Sequence, residues 1–293
     1  MHPMSRYTRY AITRLRSLGG ARTTAWALNN KGQVTGLSYL SGDNNYHAFL
    51  YTDGRMIDLG TLGGANSSGV AINDSGHVVG SSDVGGSSAR GGFLYKGGPM
   101  IDLGTDSVPN GINDSGQMTG LGKLAPAPTL AGQAINNLGQ IAGFTEGAPP
   151  SHAFLFANGV TTNLGTLGFT SQAAGVNDKG QAVGSSFVSF PAPEFPVLFT
   201  DGRIENLGSL GGTRGVARAI NNRGEVVGYS FISENAEERA FLYRDHTLLD
   251  LNDLIDPESR ITLEFATGIN EAGQIVANAG SGESYLLTPA PKT

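Results

Sequence analysis

The side chains best suited to acid–base chemistry are two histidines that occupy the same position of a repeated segment. His47 begins the run His-Ala-Phe-Leu-Tyr, and His152 begins His-Ala-Phe-Leu-Phe. Imidazole titrates near neutral pH and binds zinc, so the pair could serve catalysis or a metal site. The alternative is a structural or solvent-facing role. For an enzyme of lyase, hydrolase or isomerase type, the catalytic candidates are His47, His152, Arg218, Arg239 and Glu238.

Known catalytic and cofactor signatures are not found in the sequence. It contains no Gly-x-Ser-x-Gly elbow, His-Glu-x-x-His pair or phosphate loop, and no cofactor is predicted. With no cysteine, disulfides and thiolate chemistry are excluded. The formal net charge of −6 without a basic stripe argues against nucleic-acid binding. No run of about 18 apolar residues predicts a membrane span, and no signal peptide is visible.

The elements that must position these side chains come from a repeat built on a marker asparagine. Each copy reads small residue, aliphatic residue, Asn, then Asn, Asp or Glu, and a Gly two residues later. Asn, Asp and Gly accept left-handed backbone conformations, so each copy predicts a tight hairpin. These turns hold too few carboxylates for calcium, so the asparagines are expected to cap their own turns and no metal site is predicted. The seven markers are Asn29, Asn73, Asn113, Asn136, Asn177, Asn221 and Asn270.

Two further patterns complete a unit of four short strands, here called a, b, c and d. Strands a and b flank the marker turn, strand c is the Ala-Phe-Leu-Tyr type, and strand d is the Ile-Asp-Leu-Gly type. No segment shows helical periodicity. Four antiparallel strands in about 40–45 residues are typical of a β-propeller blade. The sequence therefore predicts an all-β fold, a closed propeller forming one domain over residues 1–293.

The two ends of the chain predict how the ring closes. The last repeat supplies strands a, b and c and then stops, while residues 12–20 at the N-terminus match strand d. A composite blade would remove the exposed edges of an open array. Residues 1–10 and 288–293 are expected to be flexible tails. Because only 23 residues separate Asn113 from Asn136, without c or d patterns, the ring has seven blades with one reduced, or six.

The position three residues before each marker asparagine is the candidate lining of the central funnel. Its side chain varies although its neighbours are small, as expected where backbones converge and this one position is free of packing. The alternative is a contact between blades. The side chains proposed here to bind a ligand are Trp26, Asn110, Gln133, Arg218 and Thr267.

The b–c loops vary most, and loops on a rigid scaffold commonly carry function. Phe187, Phe190 and Phe195 make one of them apolar, which predicts a partner-binding loop. The function expected is a monomeric binding module that presents its loops and funnel to a protein, glycan or small molecule. A propeller enzyme is the alternative.

The repeated His-Ala-Phe-Leu-Tyr, Asp-Leu-Gly-Thr-Leu-Gly-Gly and Ala-Ile-Asn-Asp-Ser-Gly segments resemble the HAF repeat family, over about residues 12–287. The resemblance implies a bacterial protein of the cell envelope or extracellular space, whereas the missing signal peptide favours the cytoplasm. It implies no catalytic residue.

Overall fold

The computed structural model describes residues 8–86, 89–105, 107–120, 129–146, 150–191 and 193–291. Within these ranges the chain forms a β-propeller of seven antiparallel blades, and a parallel bridge joins blades 5 and 6. The innermost strand of each blade is a, and b, c and d follow outward. No helix among the described residues has the length and apolarity needed to cross a membrane.

The first two blades are complete. Blade 1 consists of β2 (Gly19–Leu28), β3 (Val34–Leu40), β4 (Tyr46–Thr52) and β5 (Arg55–Asp58). Blade 2 consists of β6 (Gly63–Ile72), β7 (Val78–Val84), β8 (Arg90–Tyr95) and β9 (Ile101–Gly104).

Blade 3 is the reduced blade. It contains β10 (Gly111–Ile112) and β11 (Met118–Thr119), and no further strand joins this sheet within the described ranges. The marker hairpin is thus kept, while strands c and d do not occur in the described part of this blade, and the seventh hairpin makes a ring of seven blades.

Blades 4 to 6 are again complete. Blade 4 consists of β12 (Thr129–Ile135), β13 (Ile141–Glu146), β14 (Ala153–Ala157) and β15 (Val160–Gly165). Blade 5 consists of β16 (Ser171–Val176), β17 (Ala182–Phe187), β18 (Glu194–Thr200) and β19 (Arg203–Asn206). Blade 6 consists of β20 (Gly211–Ile220), β21 (Val226–Ile232), β22 (Glu238–Arg244) and β23 (Thr247–Asp250). Short 3₁₀ turns cover Ser233–Asn235, Leu251–Leu254 and Pro257–Ser259.

Blade 7 is the composite blade predicted from the chain ends. It contains β24 (Leu263–Ile269), β25 (Ile275–Ala279), β26 (Ser284–Pro289) and, from the N-terminus, β1 (Tyr10–Arg14). Tyr10 pairs with Pro289, and the Ala290 amide donates to the Arg9 carbonyl. Pairing therefore extends beyond the expected tail boundaries, since Tyr10 and residues 288–289 belong to strands.

The hydrophobic core lies between neighbouring blades. The strand c position of Phe49 is a buried phenylalanine in four of them, as Phe49, Phe93, Phe154 and Phe241, and a buried tyrosine in blade 7, as Tyr285. Burial of one such side chain stabilises the fold by about 1.5–3 kcal/mol. Phe49 packs with residues of blades 1 and 7, and Phe93 with residues of blades 1 and 2, so no sheet buries its faces alone.

Candidate functional site

The two faces of the ring carry different features. Because strands alternate in direction, the a–b and c–d turns lie on one face, here called the turn face. The b–c loops and d–a connections lie on the other, here called the loop face. The glycine of every a–b turn has a φ between 74° and 82°, a conformation that favours glycine. This backbone conformation explains why a glycine occurs three residues after each marker asparagine.

The marker asparagines form a closed ring of hydrogen bonds around the channel at the turn face. In each blade the Asn side-chain amide donates to the backbone carbonyl of the next marker, at 2.8–3.1 Å, and Asn270 donates to Asn29 to complete the circle. The side-chain oxygen also accepts from amides of its own turn, as the sequence predicted. The bond to the next blade was not predicted from the sequence.

A second ring runs through the residue after each marker. The backbone amide of this residue donates a hydrogen bond to the side chain of the equivalent residue in the next blade. The series begins with Asn30, which donates to Asp74, and closes with Glu271, which donates to Asn30. The cavity enclosed by the two rings is about 220 Å³. The carboxylates that line this cavity accept hydrogen bonds within the second ring, so the end of the channel at the turn face has a structural role.

The position three before each marker is a β-bulge in six of the seven innermost strands. Register shifts occur between Ala25 and Ala27, and between Ala217 and Ala219, as well as at the equivalent sites. A bulge leaves one residue unpaired and redirects its side chain. The small flanking residues make the close approaches expected of them. For example, a Cβ on Gly268 would lie 2.7 Å from Leu28 of the next blade.

The five proposed ligand-binding residues all occupy this position but differ in their contacts and in their exposure. Thr267 and Asn110 donate to backbone carbonyls of the neighbouring blade, both at 3.0 Å, so they contribute to contacts between blades. Trp26 is 40% exposed, and Arg218 is also exposed. Gln133 is partly buried.

Arg218 belongs to a charged cluster on the loop face of blades 5 to 7. The cluster comprises Glu194 of β18, Arg214 and Arg218 of β20, Glu238 of β22 and Glu264 of β24. None of the five forms a salt bridge or side-chain hydrogen bond with a residue that the structure describes. All five are exposed or partly exposed.

Aromatic rings hold the two arginines of this cluster. The Arg214 guanidinium lies 5.9 Å from the centroid of Phe231, and that of Arg218 lies 5.7 Å from the centroid of Tyr229. Such cation–π contacts stabilise a guanidinium while leaving its N–H edge available. The Tyr229 and Phe231 side chains contact each other edge to face, with ring centroids 6.4 Å apart, so they form one aromatic surface beneath both guanidinium groups.

Neighbouring charges of the cluster act on the carboxyl group of Glu238 and on the hydroxyl group of Tyr229. Burial raises the pKa of Glu238 above its ordinary value, and the Glu264 carboxylate adds to this effect, while Arg214 and Arg218 oppose it. Burial likewise raises the pKa of Tyr229, with Arg218 opposing. Of the five catalytic candidates, Arg218 and Glu238 therefore share one environment.

The remaining catalytic candidates are placed elsewhere. Nδ1 of His47 lies 2.8 Å from Asp58 on strand d of its own blade, and Nδ1 of His152 lies 3.0 Å from Asn163 in the equivalent arrangement. Arg239 forms a 2.5 Å salt bridge with Glu237. The histidines do not converge, and no group of three or more possible metal ligands occurs in the described part of the chain.

The predicted partner loop contributes to an aromatic patch on blade 5. The patch consists of Phe169, Phe187 and Phe190, with ring centroids 6.2 Å apart for Phe169 and Phe190 and 6.4 Å for Phe187 and Phe190. Phe190 is 75% exposed. Phe195 lies elsewhere, since it follows Glu194 on β18 and neighbouring residues of a strand face opposite sides.

A second cavity, of about 520 Å³, lies where the composite blade meets blade 1, and Arg14, Arg16 and Glu283 are among its lining residues. Glu283 accepts a 2.6 Å hydrogen bond from the Tyr285 hydroxyl and lies 2.5 Å from the Arg14 guanidinium. These contacts tie β1 to β26.

Comparisons with known proteins support the fold. No family model and no curated protein matches the sequence, so the HAF resemblance remains a prediction. Among solved structures, a catalytically inactive virginiamycin B lyase from Staphylococcus aureus with quinupristin has a TM-score of 0.56 at 12% identity, covering 96% of this chain and 100% of that one. A gluconolactonase from Xanthomonas campestris has a TM-score of 0.51 at 10% identity, covering 99% and 93%. At such identities the similarity shows a shared β-propeller fold and nothing finer.

Proposed function

We propose that this chain is a binding module, and that its ligand is a small molecule or glycan with charged or polar groups that contacts the charged cluster on the loop face. The observation that carries the proposal is the set of five neighbouring charged side chains without salt-bridge partners among the described residues. The three glutamates are partly buried, and unpaired charges that are partly desolvated are costly, so they favour a ligand that supplies the missing partners.

The support beneath the cluster favours recognition. Arg214 and Arg218 rest on Phe231 and Tyr229, which reduces the side-chain entropy that a ligand must remove. The cluster sits on the strands of a rigid scaffold. By contrast, the polar groups of the two rings on the turn face already bond to one another.

A saturation-transfer NMR experiment tests this function with glycylglycine, glucuronate and glucosamine as probes. At least one probe should bind, and Arg218→Gln and Glu238→Gln should each weaken that binding about tenfold or more through loss of a charge-assisted contact. The matched controls are Arg55→Gln and Glu258→Gln, which alter exposed residues outside the cluster. No binding, or binding that all four variants retain, would refute the proposal.

A second candidate function, an enzyme of lyase, hydrolase or isomerase type, is favoured by one observation. The raised pKa of Glu238 suits a carboxyl group that donates a proton, and Arg218, whose charge acts on Glu238, would be the group to stabilise a developing negative charge. An ester, lactone or glycoside panel tests it. Turnover that survives in both Glu238→Gln and Arg218→Gln would exclude these residues as catalytic.

A further inference from the structure

One row of side chains crosses blades 5 and 6 on the loop face and joins the aromatic patch to the charged cluster. Phe187 pairs with Glu194 across an antiparallel ladder, and Glu194 pairs with Arg214 across a single parallel bridge between the blades. Directly paired residues project to the same side of a sheet. The row therefore presents, in order, an apolar, an acidic and a basic group.

The apolar end of the row is exposed. Phe190 is 75% exposed and Phe169 is 38% exposed, and both ring contacts of Phe190 are with other members of the patch. Val188 beside them is 42% exposed. Exposed aromatic surface of this kind, next to charged groups, is typical of a binding site.

The spacing along the row is that of a short peptide. Paired Cα atoms across a sheet lie about 5 Å apart, so Glu194 and Arg214 are about 5 Å apart and Phe187 and Arg214 about 10 Å apart at the backbone. An extended dipeptide measures about 7 Å between its ends. Its ammonium group could contact Glu194 while its carboxylate contacts Arg214.

The order of the groups fixes the direction of such a ligand. The ammonium group would lie nearer to the aromatic patch than the carboxylate does, so the apolar side chain must belong to the N-terminal residue. Charges of both signs favour a zwitterion over a fatty acid or a sugar acid, which would meet only the arginines favourably and would be repelled by Glu194.

We infer that the loop face binds short peptides with a free, apolar N-terminal residue: the side chain on the Phe169–Phe187–Phe190 patch, the ammonium at Glu194 and the C-terminal carboxylate at Arg214. This inference rests on the proposed binding function and specifies its ligand. Arg218 and Glu238, further along blade 6, are left to contact additional residues of a longer peptide.

Isothermal titration calorimetry of the full chain with five probes tests the inference. The probes are Phe-Ala, its isomer Ala-Phe, Gly-Gly, N-acetyl-Phe-Ala and Phe-Ala amide. Phe-Ala should bind about tenfold tighter than Ala-Phe and Gly-Gly, because only it places the ring on the patch. Acetylation and amidation should each weaken binding about tenfold through loss of a charge-assisted hydrogen bond.

Variants locate the two ends of the peptide. Phe190→Ser should remove the preference for Phe-Ala over Ala-Phe while retaining a folded circular dichroism spectrum. Arg214→Gln should weaken Phe-Ala but leave the affinity of its amide unchanged. Leu138→Ser is the matched control, since Leu138 is 68% exposed at a distant turn, and it should change none of these affinities.

The outcomes separate this inference from the proposed function. Equal affinity for Phe-Ala and Ala-Phe, or a preference that survives Phe190→Ser, overturns the inference. If glucuronate or glucosamine binds, no peptide does, and Arg218→Gln abolishes that binding, the inference fails and the proposed function stands. If no probe binds at all, both fail. Phosphatidylcholine vesicles that bind through Phe190, without peptide binding, would identify the patch as a membrane contact and also overturn the inference.

Discussion

Replacing one marker asparagine by alanine should measure how much the hydrogen-bonded ring stabilises the propeller. Asn136 is 5% exposed, and its side chain makes four hydrogen bonds: to Gln140, to the Asn177 carbonyl, and from the amides of Leu138 and Gln140. A typical buried hydrogen bond contributes about 1 kcal/mol net, and stranded partners add a desolvation penalty. Since water in the channel can replace some partners, Asn136→Ala should lower the free energy of unfolding by about 2–4 kcal/mol.

The ring also provides an internal comparison. Asn73 donates to the Asn113 carbonyl and accepts from two turn amides, but His77 stands where Asn136 has Gln140. Asn73→Ala should therefore be less destabilising than Asn136→Ala by about 1 kcal/mol.

Urea denaturation followed by tryptophan fluorescence and circular dichroism measures both effects. The control is Asn44→Ala, because Asn44 is exposed in a b–c loop and its side chain bonds to no described residue. An exposed substitution of this kind should change stability by less than about 0.5 kcal/mol. The reasoning is refuted if Asn136→Ala is no more destabilising than Asn44→Ala, or if Asn73→Ala is the worst of the three.

Three further predictions concern the ring closure and the histidine position. The Tyr285 hydrogen bond and the Arg14 guanidinium lower the pKa of Glu283, so its stabilising effect is present above pH 4.5 and disappears as the pH falls through the lowered value; acid titrations of unfolding should show a shallower loss in Glu283→Gln. Burial raises the pKa of Tyr10 from 10.0 to about 12, so stability should fall as the pH rises through this range, and Tyr10→Phe should be less sensitive. His47→Ala should lower the unfolding free energy by about 0.5 kcal/mol, because Asp58 is 42% exposed, and should leave peptide affinity unchanged; a loss of affinity would contradict the structural role of His47.

The strand pairing could be predicted from the sequence because each hairpin is encoded locally. A marker Asn and the Gly that follows it determine the turn, and the strand d pattern at the N-terminus identifies the composite blade. The reduced blade was also visible, as a short interval between Asn113 and Asn136. These features need only residues that are near in sequence, or identical patterns compared with one another.

The charged cluster could not be predicted in the same way. Arg214 occupies a position held by Arg22 and Asn66 in blades 1 and 2, so the repeat pattern does not distinguish it. Its significance depends on Phe231 beneath it and Glu194 beside it, and the second contact crosses between blades. Arg218 was a candidate from the sequence because the bulge position varies in residue type while its neighbours stay small.

In the complete blades an innermost hairpin that continues the hydrogen-bonded ring occurs together with outer strands, whereas the described part of blade 3 contains the hairpin alone. Its hairpin still passes the circle of hydrogen bonds from Asn73 through Asn113 to Asn136, although the described part of the sheet has only two strands. The continuity of the hydrogen-bonded ring thus depends on the innermost hairpins, whereas the outer strands determine how wide each blade is. We therefore expect that an outer hairpin grafted onto blade 3 would leave the ring of hydrogen bonds intact.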